Sequence, residues 1–242
     1  MENGIHIGMK HFEEDLNSLG IALTDIQKQQ FIRYYEILIE WNKLMNLTAI
    51  TDFEEVVQKH FIDSLTIIKA ISLDRQKIID IGTGAGFPGI PLKIAFPSIK
   101  IVLLDSLNKR INFLNEVIKI LDLKDIETIH GRAEDYGKNP LYREQFDLCV
   151  SRAVANLSSL SEYCIPFVKK GGFFISYKSG KAMEELEAAQ NAIKLLGGKV
   201  WNTTEFSLPN TDMQRTLITI GKITPTPKKY PRSAGKPSKE PL

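Results

Sequence analysis

Asp80, Gly82, Gly84, Gly86 and Gly89 crowd into ten positions of the stretch IIDIGTGAGFPGIP (78–91), at the end of an aliphatic run, and Asp105 follows 23 residues after Gly82. Glycines at that density bring backbone close to a ligand. A phosphate-cradling loop needs Gly-x-x-x-x-Gly-Lys-Ser/Thr, and no Lys-Ser or Lys-Thr follows this turn. Gly84, Gly86 and Gly89 satisfy the bare Gly-x-Gly-x-x-Gly of a dinucleotide site. Counted from the aliphatic run, however, the register is Gly82-x-Gly84-x-Gly86, with Phe87 where the third dinucleotide glycine belongs. Pro88 also removes a backbone N–H where a pyrophosphate needs donors.

A third ligand class fits the neighbouring acids better. S-adenosylmethionine carries no phosphate; it presents a sulfonium, an ammonium, a carboxylate, a ribose and an adenine. Asp80 suits a cation and repels a pyrophosphate, while Asp105 stands where an acid accepts hydrogen bonds from ribose hydroxyls. In GRAEDYG (131–137), Ala133 and Glu134 offer backbone amides and a carboxylate to an adenine edge. In SRAVA (151–155), Arg152 is a charge in an apolar segment, costly to bury unless paired. It faces either a ligand or a structural acid such as Glu134. The plainer roles are turn capping for Asp80 and Asp105 and helix initiation for Glu134.

Methyl transfer from a sulfonium is an in-line displacement, so much of the enzyme's work is alignment. The segment ending in SRAV lacks the Asp/Asn-Pro-Pro-aromatic group used on exocyclic amines, and no Pro-Cys pair supplies a cysteine nucleophile. His60 and His130 are each isolated in the sequence. An unprotonated acceptor such as a purine N7 needs no base, and a carboxylate can stabilise its cationic product. No catalytic base is therefore assigned, Arg152 is the residue placed to touch the substrate, and no metal site is expected. Lys178 and Arg110 are candidates for RNA contact, weighed against ordinary surface charge.

These residues need a scaffold. Alternating apolar strands and amphipathic helices run from Lys77: strands at KIIDIG, KIVLLD, IETIHG, FDLCVSRAV (146–154) and GFFISYKSG (172–180), then two around 199–208 and 216–223 with no helix between them. That predicts a mostly parallel, doubly covered seven-stranded sheet with an antiparallel edge pair. Residues 1–72 read as a helical N-terminal cap, with Phe31, Tyr34, Tyr35, Leu38, Trp41 and Met45 on one helix face and Thr24 or Asp25 as its cap. Residues 73–223 form the ligand-binding domain. The tail, 224–242, holds five Lys/Arg against Glu240 alone and five of the eleven prolines. It reads as a solvated end or as an arm for polyanions. Cys149 and Cys164 read as buried thiols of a cytoplasmic protein.

The segments WNKLMNLTAI (41–50), HFIDSL (60–65), DIGTGAGFPGIPLKI (80–94), DSLNKRINFL (105–114), GRAED (131–135), SRAVA, VKKGG (168–172) and TPKKYPR (226–232) together resemble the bacterial small-subunit rRNA guanine-N7 methyltransferases, the RsmG or glucose-inhibited division protein B family. The resemblance covers nearly the whole chain. It implies a class I S-adenosylmethionine-dependent methyltransferase fold, Rossmann-like. It implies methylation of N7 of a guanine in the 530 loop of 16S rRNA, within the 30S subunit or an assembly intermediate. Gly82, Phe87, Ala133, Glu134 and Arg152 match the family's cofactor-contact positions, and Asp105 its acid after the second strand. The rivals are a methyltransferase for another RNA or a small molecule, a nicotinamide-dependent dehydrogenase using Gly84, Gly86 and Gly89, and a non-catalytic RNA-binding assembly protein.

Overall fold

The computed structural model describes residues 2–152 and 155–242. Ala153 and Val154, expected in the fourth strand, lie outside the described residues. Among the described residues, seven strands form one sheet: β1 (Lys77–Ile81), β2 (Lys100–Asp105), β3 (Ile126–His130), β4 (Phe146–Arg152), β5 (Val168–Lys178), β6 (Gly198–Ser207) and β7 (Gln214–Lys222). Their order is β3-β2-β1-β4-β5-β7-β6. The first five strands pair in parallel, and β7 runs antiparallel between β5 and β6, as the missing crossover helix required. β5 begins earlier than expected: Val168 already pairs with Phe146, and a bulge follows before the regular register from Leu148–Phe173.

Alternate residues of the central strands feed two apolar layers, as the two-residue period of a strand dictates. Ile78, Ile101, Leu103, Leu148 and Val150 pack on one face with α1 (Glu2–Ser18), α2 (Asp25–Asn42), α5 (Gly89–Ala95) and α6 (Asn108–Ile120). Ile79, Val102, Leu104, Cys149 and Phe174 pack on the other with α8 (Leu157–Cys164) and α9 (Ala182–Leu195). The N-terminal helices share the first layer: Phe12, Phe31 and Phe61 lie in the same apolar cluster as β1. α2 is closed by a reciprocal cap, in which Gln27 N–H donates to Thr24 Oγ1 and Thr24 N–H to Gln27 Oε1.

After α3 (Phe53–Val56) comes a π-helical turn, Val57–Ile62, then α4 (Asp63–Leu65) and a 3-10 turn to Lys69. Wide turns of this kind are rare and recur at functional sites.

The tail is packed, against the expectation of a solvated end. Arg143 donates to the carbonyls of Thr226 and Tyr230, and Arg232 grips the fully buried Glu162 carboxylate with Nε at 3.0 Å and Nη2 at 2.7 Å. Ser159 Oγ donates to Pro237 O beside a last short helix, α10 (Lys236–Lys239). The composition concealed this because the tail carries few apolar residues and is held by hydrogen bonds to its backbone.

Candidate functional site

Ligands of open α/β sheets lie beyond the carboxyl ends of the strands, where strand order reverses. Here that point lies between β1 and β4, and a cavity of about 500 Å³ opens there. Its wall includes Ile81, Gly82, Thr83, Gly84, Ala85 and Phe87 from the glycine turn. The turn is stitched to the end of β2 by Gly82 N–H to Leu104 O at 2.9 Å. Gly82, Gly84 and Gly86 all have positive φ, at 69°, 62° and 97°.

Their roles differ. A Cβ on Gly84 would meet nothing nearer than Gly82 O at 4.0 Å, so the space it would enter belongs to the cavity. A Cβ on Gly86 would strike Ile90, the Tyr34 hydroxyl and Leu114 at 2.5–3.0 Å, and one on Gly89 would strike Leu103 at 2.2 Å. Those two glycines serve packing. Asp80 lies beneath the turn, fully buried, and is not on the cavity wall. Its Oδ2 accepts from Thr83 Oγ1 at 2.7 Å and from Gly89 N–H at 2.9 Å. The start of α5, where a dinucleotide would seat its pyrophosphate, is therefore already occupied by a carboxylate of the chain. Burial raises the Asp80 carboxyl to about 7, opposed by those two hydrogen bonds and by Arg152. Tyr34, from α2, donates its hydroxyl to Ala85 O and holds the turn from below.

Asp105 is 2% exposed and lines the cavity at the end of β2. Its Oδ2 accepts from Gly84 N–H at 2.9 Å and Arg110 Nη1 at 3.2 Å; its Oδ1 accepts from Leu107 N–H at 2.9 Å and keeps a lone pair. On the β3 side, Ala133 and Glu134 open the short helix α7 (Ala133–Tyr136), so their amides have no carbonyl one turn back. Glu134 Oε1 accepts from Gly235 N–H of the tail at 2.8 Å. Apolar contact comes from Leu104 and Tyr163.

The remaining wall comes from the N-terminal segment: Leu47, Thr48 and His60, beside Phe87 and Arg152. The π turn presents Lys59 O and His60 to the same guanidinium. Arg152 donates through Nη1 to Lys59 O and to Asp63 Oδ2, both at 2.9 Å, and through Nη2 to His60 Nδ1 at 3.1 Å. Asp63 Oδ1 accepts from Arg215 Nε at 2.9 Å, so one carboxylate is shared by two guanidiniums and a positive charge is left over. Arg152 also lies over the Phe87 ring at 5.2 Å, and His60 stacks on that ring at 4.5 Å. Burial and the nearby Arg152 charge lower the His60 imidazole to about 4, so it is neutral at physiological pH.

The lining fits S-adenosylmethionine and not a pyrophosphate ligand: the Asp105 carboxylate stands on the wall, backbone is open at Gly84, and the start of α5 is already taken by Asp80. Comparison with known proteins points the same way. The model of the GidB family, rRNA small subunit methyltransferase G, matches residues 27–217. The "Ribosomal RNA small subunit methyltransferase G" of Lachnoclostridium phytofermentans is 59% identical over 232 residues, covering 96% of each chain. That of Acetivibrio thermocellus is 55% identical, covering 95% of this chain and 94% of its own. The chain belongs to this family. Its fold is also shared with solved structures. TYW2 of M. jannaschii, solved with AdoMet, has a TM-score of 0.51 at 16% identity over 66% of this chain and 77% of its own. TrmN from Thermus thermophilus has a TM-score of 0.51 at 12% identity, over 69% and 53%.

Within this family member, the cavity brings together Gly82, Gly84, Phe87, Asp105, Ala133, Glu134 and Arg152, with Asp80 one layer below. Arg152 is paired with Asp63, not with Glu134. Lys178 is 8% exposed and donates to Glu185 Oε2 at 2.7 Å and Ala155 O at 2.8 Å, so it is a structural lysine and not an RNA contact. Arg110 lies on the cavity rim. His130 is exposed and away from His60, with Nε2 3.2 Å from Ser106 O. Cys149 and Cys164 are buried free thiols. Thr48, Asp63 and Arg215 carry no individual signal in the sequence. Asp63 and Arg152 lie 89 positions apart, and only the motif HFIDSL hinted that the first mattered.

Proposed function

We propose that the cavity holds S-adenosylmethionine and that the chain methylates N7 of a guanine in the 530 loop of 16S rRNA. The observation that carries the cofactor reading is the division of the glycine turn. Gly84 opens on the cavity, while Asp80 already fills the start of α5. The chain is a small-subunit rRNA methyltransferase of its family, and the position and atom methylated are supported by the motif resemblance and by the chemistry of the site.

The bound donor supplies a sulfonium methyl already activated for displacement. What the chain supplies is placement. Gly82 and Gly84 let backbone approach the donor closely. Asp105 would hold the ribose through its spare acceptor capacity, and Ala133 with Glu134 would hold the adenine edge. The acceptor base would enter on the side of Leu47, Thr48 and His60, which come from the N-terminal segment and adjoin Phe87 and Arg152. Alignment of this kind is worth roughly 7–11 kcal/mol of the barrier. Guanine N7 carries a lone pair and no proton, so no base is needed. His60 agrees: its Nδ1 is engaged by Arg152 and its ring is neutral. A base in folded rRNA must be exposed or flipped to reach such a depth. The substrate is thus the small subunit or an assembly intermediate in which that loop is accessible. The free thiols suit a cytoplasmic setting.

The test uses purified protein, labelled S-adenosylmethionine and ribosomal RNA from a strain lacking the enzyme. Label is expected in small-subunit rRNA alone, with S-adenosylhomocysteine and not NADH binding in calorimetry. NADH binding without methyl transfer would restore the dehydrogenase reading.

A further inference from the structure

Thr48 has its polar groups almost fully accounted for. Its amide donates to Asn42 Oδ1 at 3.0 Å and its carbonyl accepts from Asn42 Nδ2 at 3.0 Å, so Asn42, at the end of α2, fixes the loop that carries it. Its side-chain oxygen accepts from Ile50 N–H at 3.0 Å and lies 2.9 Å from His60 Nε2.

Which of that last pair donates follows from the other ring nitrogen. His60 Nδ1 lies 3.1 Å from Arg152 Nη2, and a guanidinium can only donate. Nδ1 is also 3.0 Å from Lys59 O, but a proton on Nδ1 would leave the Arg152 Nη2 hydrogen facing another N–H. Nδ1 therefore presents its lone pair to Arg152, and the ring's proton sits on Nε2 and points at Thr48. Two lone pairs exhaust the acceptor capacity of a hydroxyl. With both taken, by Ile50 N–H and His60 Nε2–H, the Thr48 proton has one direction left. Thr48 and His60 both line the cavity.

We infer that the Thr48 hydroxyl is a donor-only group that hydrogen-bonds O6 of the acceptor guanine, with His60 as the residue that fixes its polarity. The inference rests on the guanine-N7 reading above. Guanine presents N7 and O6 side by side, both acceptors; adenine presents N7 beside an amino donor. A hydroxyl free to rotate would serve either base. One whose lone pairs are filled faces an amino group with no acceptor to offer, so it admits a 6-oxo purine and rejects adenine. Thr48 is then a specificity residue and His60 a positioning residue, and neither removes a proton.

The test compares wild type, Thr48→Ser, Thr48→Val, His60→Phe and the Thr48→Val/His60→Phe pair. The substrates are RNAs with guanine or 2-aminopurine at the target; the latter keeps N7 and lacks O6. On guanine, Thr48→Val should lower kcat/KM by roughly 10- to 100-fold. Thr48→Ser should retain activity, and S-adenosylhomocysteine affinity should be unchanged in both, which shows that the fold and cofactor site survive. On 2-aminopurine, wild type and Thr48→Val should be equal. The guanine-over-2-aminopurine ratio of the double variant should equal that of Thr48→Val, because His60 acts on O6 recognition through that hydroxyl, whereas its contacts with Arg152 and Phe87 affect both bases alike. A Thr48→Val enzyme as fast as wild type on guanine, or one equally impaired on 2-aminopurine, overturns the donor role. A double variant whose guanine-over-2-aminopurine ratio falls further than that of Thr48→Val overturns the role given to His60. A wild-type enzyme that leaves guanine N7 unmethylated overturns the function itself, which is a separate result.

Discussion

Two ionisable groups, the buried Asp80 and the half-buried His60, lie near Phe87 and Arg152, and they work in opposite directions with pH. The Asp80 carboxyl, at about 7 in the fold against 3.8 for an ordinary aspartate, holds a proton that the unfolded chain has already lost. Its contribution to stability is present below pH 4 and is lost as pH rises toward 7. His60, lowered to about 4 from 6.5, binds its proton more readily in the unfolded chain. Its contribution is present above pH 6.5 and is lost as pH falls toward 4. Urea midpoints across pH 4–7 should therefore lose the Asp80-linked decline in Asp80→Asn, and His60→Gln should show a shallower acid-side loss than wild type. Arg152→Ala leaves Asp63 with Arg215 alone. No buried charge is orphaned, so the loss is that of the bonds to Lys59 O, Asp63 and His60, and denaturation should show about 1–3 kcal/mol together with weaker S-adenosylhomocysteine binding. At this scale the sequence was legible where chemistry was local. Asp80 and the glycines sit within ten residues, and Asp80 with Phe87 and Pro88, not the glycine spacing itself, told against a dinucleotide. It was illegible where partners come from distant segments, as Asp63, Thr48 and Arg215 do around Arg152.

The glycine turn, α2 and the π turn form one device. Tyr34 donates to Ala85 O and stacks with Phe61, whose helix carries His60, so the N-terminal helices set the height of the turn. Removing that hydroxyl in Tyr34→Phe leaves a buried carbonyl unpaired, at a cost of about 1–3 kcal/mol, and should weaken S-adenosylhomocysteine binding as the turn loosens. Two alanine substitutions should separate the glycines. At Gly84 the added methyl meets open cavity, so Gly84→Ala should lose cofactor binding for a backbone cost of about 1–2 kcal/mol. At Gly86 it meets Ile90, Tyr34 and Leu114, so Gly86→Ala should melt well below Gly84→Ala. Similar melting for both would contradict the division of roles. Apolar periodicity predicted these elements well. The π turn escaped it because Val56, Val57 and Phe61 fit an ordinary amphipathic helix equally well.

The whole chain is tied together by the segment that looked least structured. Glu162 is fully buried and held by Arg232, while Gly235 reaches Glu134 at the cavity. Arg232→Met should therefore cost about 3 kcal/mol, lowering the Tm by roughly 6–12 °C. Deleting 224–242 would confound stability with binding. Lys228 and Lys229 remain exposed, and they are the sites at which to test an RNA arm. Replacing both with Gln should reduce the salt slope of rRNA binding by roughly 0.7 for each phosphate these lysines neutralise, and an unchanged slope would end the arm reading. Charge and proline content made the tail look free, since composition does not reveal which buried acids await an arginine. The central claim, N7 methylation in the 530 loop, is tested most directly by borohydride–aniline cleavage of 16S rRNA from a strain lacking the enzyme, treated with the protein and S-adenosylmethionine. That chemistry cuts at N7-methylguanosine. A single new, cofactor-dependent cut in the 530 loop is the expected result; methyl incorporation with no cut there would contradict it.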